Sequence, residues 1–161
     1  MDRNILSPGS LVTFRLSADR IGQSGSSIYA SFCELSVLIN APPSSGSFAV
    51  SPTSGEALTS VFQLLAPSWS DEVEDLPLLY SFSYRISSLS PALQLQSRRG
   101  VTTVSTTLPQ GLESVDYTIT ATAIIYDTPG ASTNATANVI VLPTTLDFLD
   151  YLLSNLDTSG D

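Results

Sequence analysis

The sequence predicts an all-β protein: an antiparallel sandwich with an extra N-terminal β-hairpin and a short C-terminal helix. Three observations predict it. Apolar residues recur with a period of two in segment after segment, clusters of Pro, Gly, Ser and Asp interrupt those segments at short intervals, and a helical period starts only beyond Thr144. The composition agrees. Of the 161 residues, 42% are hydrophobic, as a packed core requires, whereas 13% are charged, about half the usual share. Ser and Thr, 43 in all, supply much of the polar surface instead. That abundance suits strands with one hydroxyl-bearing face and turn-rich connections.

In the first 42 residues, Val12, Phe14, Leu16 and Ala18 alternate with Thr13, Arg15, Ser17 and Asp19, the pattern of a half-buried strand. Residues 22–27 read as a Gly/Ser loop. A second strand over residues 28–39 carries Ile28, Ala30 and Phe32 on one parity and Leu35, Val37 and Ile39 on the other. The change of parity predicts a β-bulge near Cys33 and Glu34. Together the two strands make a hairpin. The run Asn40-Ala41-Pro42-Pro43-Ser44-Ser45-Gly46 then marks the strongest internal boundary, because two prolines stiffen the chain and the Ser/Gly run ends strand pairing.

A complete domain follows over residues 43–143. Phe48 and Val50 predict a short first strand, stopped by Ser51-Pro52-Thr53-Ser54-Gly55. Leu58, Ser60, Phe62 and Leu64 give the core face of the next. Leu78, Tyr80, Phe82, Tyr84 and Ile86 mark the clearest central strand, and weaker strands fit residues 93–96 and 101–107. Tyr117, Ile119, Ala121, Ala123 and Ile125 form another core face, in a strand whose other parity carries three threonines. After the turn Asp127-Thr128-Pro129-Gly130, Ala135, Ala137, Val139 and Val141 lie on the returning strand. Seven short strands without intervening helices predict a sandwich. In residues 144–161 the period changes. Thr144 can cap a helix with Asp147 three residues on, and Leu146, Leu149, Leu152, Leu153 and Leu156 share one face of a helix over residues 146–156. At that length it is marginal alone, so its leucine stripe needs the sandwich, the hairpin or a further domain as partner.

Charge narrows the function classes. The net charge is −9, with no histidine and no lysine, so a basic stripe for nucleic acid is absent and Arg98-Arg99 is the one basic pair. An anionic membrane surface is disfavoured for the same reason. No run approaches the ~20 apolar residues of a membrane span, and the N-terminus lacks the apolar stretch of a signal peptide, so the chain reads either as an intracellular protein or, the favoured expectation, as a piece of a larger protein that does not itself enter the membrane. Without His or Lys there is no Ser-His, Cys-His or Ser-Lys pairing and no Schiff base. Phosphate-binding glycine motifs are missing too, so a non-catalytic protein without a cofactor is expected. The lone Cys33 has no partner for an internal disulfide and reads as a small buried hydrophobe.

The best candidate for a site is the acidic loop Asp71-Glu72-Val73-Glu74-Asp75. Calcium is one reading, with Asp71, Glu72, Glu74 and Asp75 as candidate ligands, because a hard cation takes several oxygens from one flexible loop. A solvated turn between strands is the other, and the lack of EF-hand spacing favours it. Trp69, just before this loop, reads as a core or loop anchor ahead of an exposed binding aromatic. Asn134-Ala135-Thr136 is a glycosylation sequon at the start of a predicted strand, where a surface glycan can sit. Arg98-Arg99-Gly100 reads as a solvated turn.

The run Pro42-Pro43 through Gly46-Ser47-Phe48-Ala49-Val50-Ser51-Pro52-Thr53-Ser54-Gly55, then Ala57-Leu58, Trp69-Ser70-Asp71 and Pro77-Leu78-Leu79-Tyr80, resembles a repeated signature of REJ (receptor for egg jelly) modules. These occur in polycystin-1-like and other ciliary or sperm surface receptors. The resemblance covers about residues 40–142 and implies an immunoglobulin/fibronectin type III-like sandwich. It also implies a non-catalytic structural or binding module on the extracellular side of a plasma or ciliary membrane, partnered by adjacent domains of the same chain and by a protein or glycan ligand. A carbohydrate-binding or adhesion module and a calcium-dependent module are the alternatives. Leu108-Pro109-Gln110-Gly111 followed by Tyr117 resembles the tyrosine corner of such sandwiches. Where the family often carries cysteines this chain has Phe48 and Ala66, so apolar packing must replace that cross-link. In this view residues 1–42 are the last hairpin of a preceding sandwich.

Overall fold

A computed structural model describes residues 6–21 and 27–144, the side chains at 20–21 and 27–30 excepted. The expected helix over residues 146–156 lies outside the described residues. The chain divides into two compact units, Met1–Pro42 and Pro43–Asp161.

The first unit is a hairpin of β1 (Leu11–Ile21) and β2 (Ser27–Leu38), paired antiparallel without interruption from Leu11↔Leu38 to Arg20↔Tyr29. The bulge expected near Cys33 and Glu34 is therefore not formed; the one register shift lies between Arg20 and Ile21. Phe32 explains the misleading parity, because it belongs to the polar face. The Arg15 guanidinium carbon lies 3.8 Å over its ring, with Arg15 Nε also 3.8 Å from Glu34 Oε1. A charge placed over an aromatic face is attracted to the ring's quadrupole, so an aromatic can sit comfortably among charged neighbours. The Thr13 and Ser36 hydroxyls meet at 2.9 Å on the same face. Val12, Phe14, Leu16 and Ala18 of β1 share the opposite face with Cys33, Leu35 and Val37 of β2. That face is exposed, to 77% at Leu16 and 63% at Leu35. Cys33 is exposed on it, correcting the expectation of a buried thiol: the strand turns it to the apolar face, which has no second layer among the described residues of this unit.

Among its described residues the second unit is a sandwich of eight strands: β3 (Ala49–Ser51), β4 (Ser54–Glu56), β5 (Val61–Leu65), β6 (Leu79–Arg85), β7 (Leu93–Arg99), β8 (Thr103–Thr107), β9 (Thr118–Tyr126) and β10 (Ser132–Leu142). One sheet has the order β3-β5-β8 and the other β4-β10-β9-β6-β7. Lettered in the immunoglobulin manner, A, B and E pack against C, F and G, the expected immunoglobulin/fibronectin type III-like plan. All pairings in these sheets are antiparallel except β4 with β10.

Side chains that alternate along a strand fall on opposite faces, and β9 shows the result: Ile119, Ala121, Ala123 and Ile125 are wholly buried while the intervening residues are half-buried. Phe62 and Leu64 from β5 meet Phe82 from β6 and Val139 and Val141 from β10 in one core. Each such side chain contributes about 1.5–3 kcal/mol by leaving water. The structure departs from the expected pattern at Leu58, which is 69% exposed with φ +62°. Residues 57–60 form a turn, so Ala57 enters the core in place of Leu58 and the strand starts at Val61. The segment expected merely to stop the first strand supplies β4, which pairs parallel with residues 140–142 at the end of β10.

Candidate functional site

Pairing of Leu79 with Tyr126 brings the segment before β6 beside the segment after β9. The acidic loop therefore meets the β9–β10 turn, and Thr128 N–H donates to Asp75 O at 2.9 Å. Within the loop, Glu72 N–H donates to Asp71 Oδ1 at 3.0 Å and Asp75 N–H to Glu72 O at 3.0 Å, closing a 3-10 turn over Val73–Asp75. The folding of this short turn gathers carboxylate oxygens of Asp71, Glu72 and Asp75 within 4.8 Å of one another. Glu74, the fourth expected ligand, is outside that group.

A residue that sequence reading missed completes the electrostatics. Asp127 is 3% exposed, and its Oδ1 accepts from Gly130 N–H at 2.6 Å, which fixes the turn. Its negative charge opposes ionisation of Asp71, Glu72 and Asp75. The sequence marks Asp127 as a turn residue, but its nearness to residue 71 follows from strand pairing and has no local signal. Desolvation, chiefly, pushes the Asp71 carboxyl up from 3.8 to about 6, with its hydrogen bond to the Glu72 side chain next. Glu72 is held below its ordinary range by the same bond. Of the two carboxyls, Asp71 is thus the one that holds a proton, and it does so below about pH 6. Asp75 is raised, first by desolvation and then by Asp127. Asp71 Oδ2 is buried and has no hydrogen-bond partner among the described residues.

Trp69 is half-buried against the core. Its Nε1–H donates to Ser47 O at 3.1 Å, and its ring lies so close over Gly46 that a Cβ there would be 2.2 Å from ring carbons. It also forms one wall of a shallow pocket of about 350 Å³, with Leu76, Pro77 and Tyr80 among the other walls. Phe48 and Ala66 stand opposite one another when the β3–β5 register is continued by one residue beyond Ala49↔Leu65; Ser47 N–H to Pro67 O at 3.1 Å continues it further. Ala66 is wholly buried, and the Phe48 ring centroid lies 6.1 Å from that of Phe82.

At the corner before β9, the backbone holds the turn. Tyr117 N–H donates to Leu112 O and Tyr117 O accepts from Val141 N–H, each at 2.9 Å. Asp116 and Tyr117 both take left-handed conformations, and a Cβ on Gly111 would lie 2.1 Å from Tyr117 O. Asn134 is exposed within β10. Arg98 is drawn over the Tyr126 ring at 3.6 Å, and Arg99 pairs in register with Tyr80 on β6.

Among the described residues no helix is long and apolar enough to cross a membrane. No curated protein matches the chain. The family model of the REJ domain matches residues 1–159, taking in both the hairpin and the sandwich. REJ domains are non-catalytic modules found in the extracellular parts of membrane receptors. With that match over nearly its whole length and an all-β sandwich fold, the chain belongs to the REJ domain family.

Proposed function

We propose that this chain is a non-catalytic structural and binding module on the extracellular side of a larger polycystin-like membrane protein, at the plasma or ciliary surface. The observation that carries this reading is the REJ family match across residues 1–159. Its mechanism is geometric: a stiff sandwich sets spacing, transmits force and presents loops to neighbouring domains. The hairpin of β1 and β2 fits the last two strands of a preceding sandwich. A lone two-stranded ribbon is marginal in water, and this one exposes apolar side chains of Phe14, Leu16, Leu35 and Val37 on one face. What weighs against a carbohydrate-binding module is the placement of aromatics. In the sandwich Phe62, Phe82 and Tyr80 are buried and Phe48, Trp69, Tyr84, Tyr117 and Tyr126 are half-buried, leaving no fully exposed aromatic for sugar stacking among the described residues of that unit. The open reading frame of the parent gene tests the proposal. A membrane-spanning region downstream of this segment is expected, and a parent with no span contradicts it. A glycan array probed with the chain is expected to stay blank.

A second reading, a calcium-dependent module, is favoured by one arrangement: three clustered carboxylates with the sealed oxygen of Asp71 among them. A ligand that binds the folded state alone raises its melting temperature. Millimolar calcium is expected to raise Tm on this reading, and an unchanged Tm excludes it.

A further inference from the structure

Asn134-Ala135-Thr136 is the one Asn-X-Ser/Thr triplet in the chain, and β10 places it well. Asn134 and Thr136 are both exposed while Ala135 between them turns inward. Two positions on, Asn138 is engaged, since its Oδ1 accepts from the Thr120 hydroxyl at 3.1 Å. No hydrogen bond holds the Asn134 amide among the described residues. The register puts Asn134 opposite Ile124 and Thr136 opposite Thr122, and Ser81 and Ser83 continue the same rows on β6. The residues in register with Asn134 and Thr136 on this outward face are all uncharged. Among the described residues no strand pairs with that stretch of β10 on its outer side, since β4 reaches only residues 140–142, and the Thr133 hydroxyl donates to Pro43 O at 2.6 Å.

We infer that Asn134 carries an N-linked oligosaccharide that lies over the outward face of β9 and β10. The inference rests on the extracellular reading above, which supplies the lumen in which such transfer occurs. A lipid-linked pyrophosphoryl oligosaccharide is the donor. The bond from Asn134 Nδ2 to the sugar C1 forms as the C1–O bond to the pyrophosphate breaks. The lipid pyrophosphate departs, and the amide proton passes to a base of the transferring enzyme. The Thr136 hydroxyl two residues on completes the recognised triplet. The first sugar then lies beside Thr122 and Ile124. A glycan in this place also guards the stretch of β10 that no described strand covers on its outer side, a kind of edge that otherwise invites pairing with another chain. It further withdraws the β9–β10 face from protein docking.

The test directs the whole 161-residue chain into the secretory lumen of a eukaryotic cell with a heterologous leader, so the outcome is independent of where the natural parent resides. Intact mass is measured before and after an amidase that removes N-glycans. One glycan is expected on the wild type and on Thr136→Ser, and none on Asn134→Gln or Thr136→Ala. The pair of Thr136 variants keeps the test interpretable should Asn134→Gln fold poorly. A wild-type chain secreted without a glycan overturns the inference and leaves the extracellular reading standing, whereas loss of surface display by the natural parent overturns that reading instead.

Discussion

At Asp71 proton binding is coupled to folding. The carboxyl titrates near 3.8 when unfolded and at about 6 in the folded protein, so between those values the folded chain keeps a proton that the unfolded chain has released. Its contribution to stability is present below about 4 and is lost as pH rises through 6. Glu72, held low, acts in the opposite sense, but below its ordinary 4.5. The interval from 4.5 to 6 therefore reports on Asp71, with Asp75, also raised, acting in the same sense. Asp71→Asn is expected to melt at a higher temperature than the wild type above pH 6, and to flatten the fall in Tm across that interval. A second residue-scale expectation concerns glycine. A methyl group at position 46 would collide with the Trp69 ring, whereas at Gly100 it meets nothing within 4 Å. Gly46→Ala is expected to cost about 1–3 kcal/mol, the usual range for overpacking, while Gly100→Ala leaves the urea midpoint unchanged.

The strands of the sandwich were mostly legible because their core faces alternate, and alternation is what a half-buried strand writes into a sequence. β6 and β9 are the clearest cases. Leu58 shows the limit: it continues the parity of Phe62 and Leu64, yet the turn at residues 57–60 rotates it out to solvent. Replacing Leu64 by Ala should therefore cost about 2–5 kcal/mol. Leu58→Gly should cost nothing, and relief of the left-handed backbone at φ +62° should make it slightly stabilising in chemical denaturation. β4 was illegible for another reason. Three residues with one proline two positions upstream look like a stop signal, and their parallel pairing with β10 is a long-range contact. Phe32 misled by composition, since an aromatic held under Arg15 mimics a core residue and created the appearance of a bulge. The acidic cluster was half legible: Asp71, Glu72 and Asp75 are contiguous enough to notice, but Asp127 arrives through the β6–β9 register.

At the scale of the whole molecule there are two unlike units, a sandwich with a closed core and a hairpin whose apolar residues Phe14, Leu16 and Leu35 are exposed. The 161-residue chain is expected to bind an apolar dye through Phe14, Leu16 and Leu35. Leu16→Ser with Leu35→Ser should reduce that binding several-fold without shifting the melting of the sandwich, whose core residues run from Val50 to Val141. Unchanged dye binding would mean that the face is covered. The central claim is that the module stands outside the cell as part of a membrane receptor of the REJ family. Antibody labelling of living cells that express the natural parent, with an antibody to the exposed part of the loop around Glu72 and Glu74, tests it most directly. Bright labelling of intact cells is the expected result, and labelling that appears only after the membrane is permeabilised would contradict it.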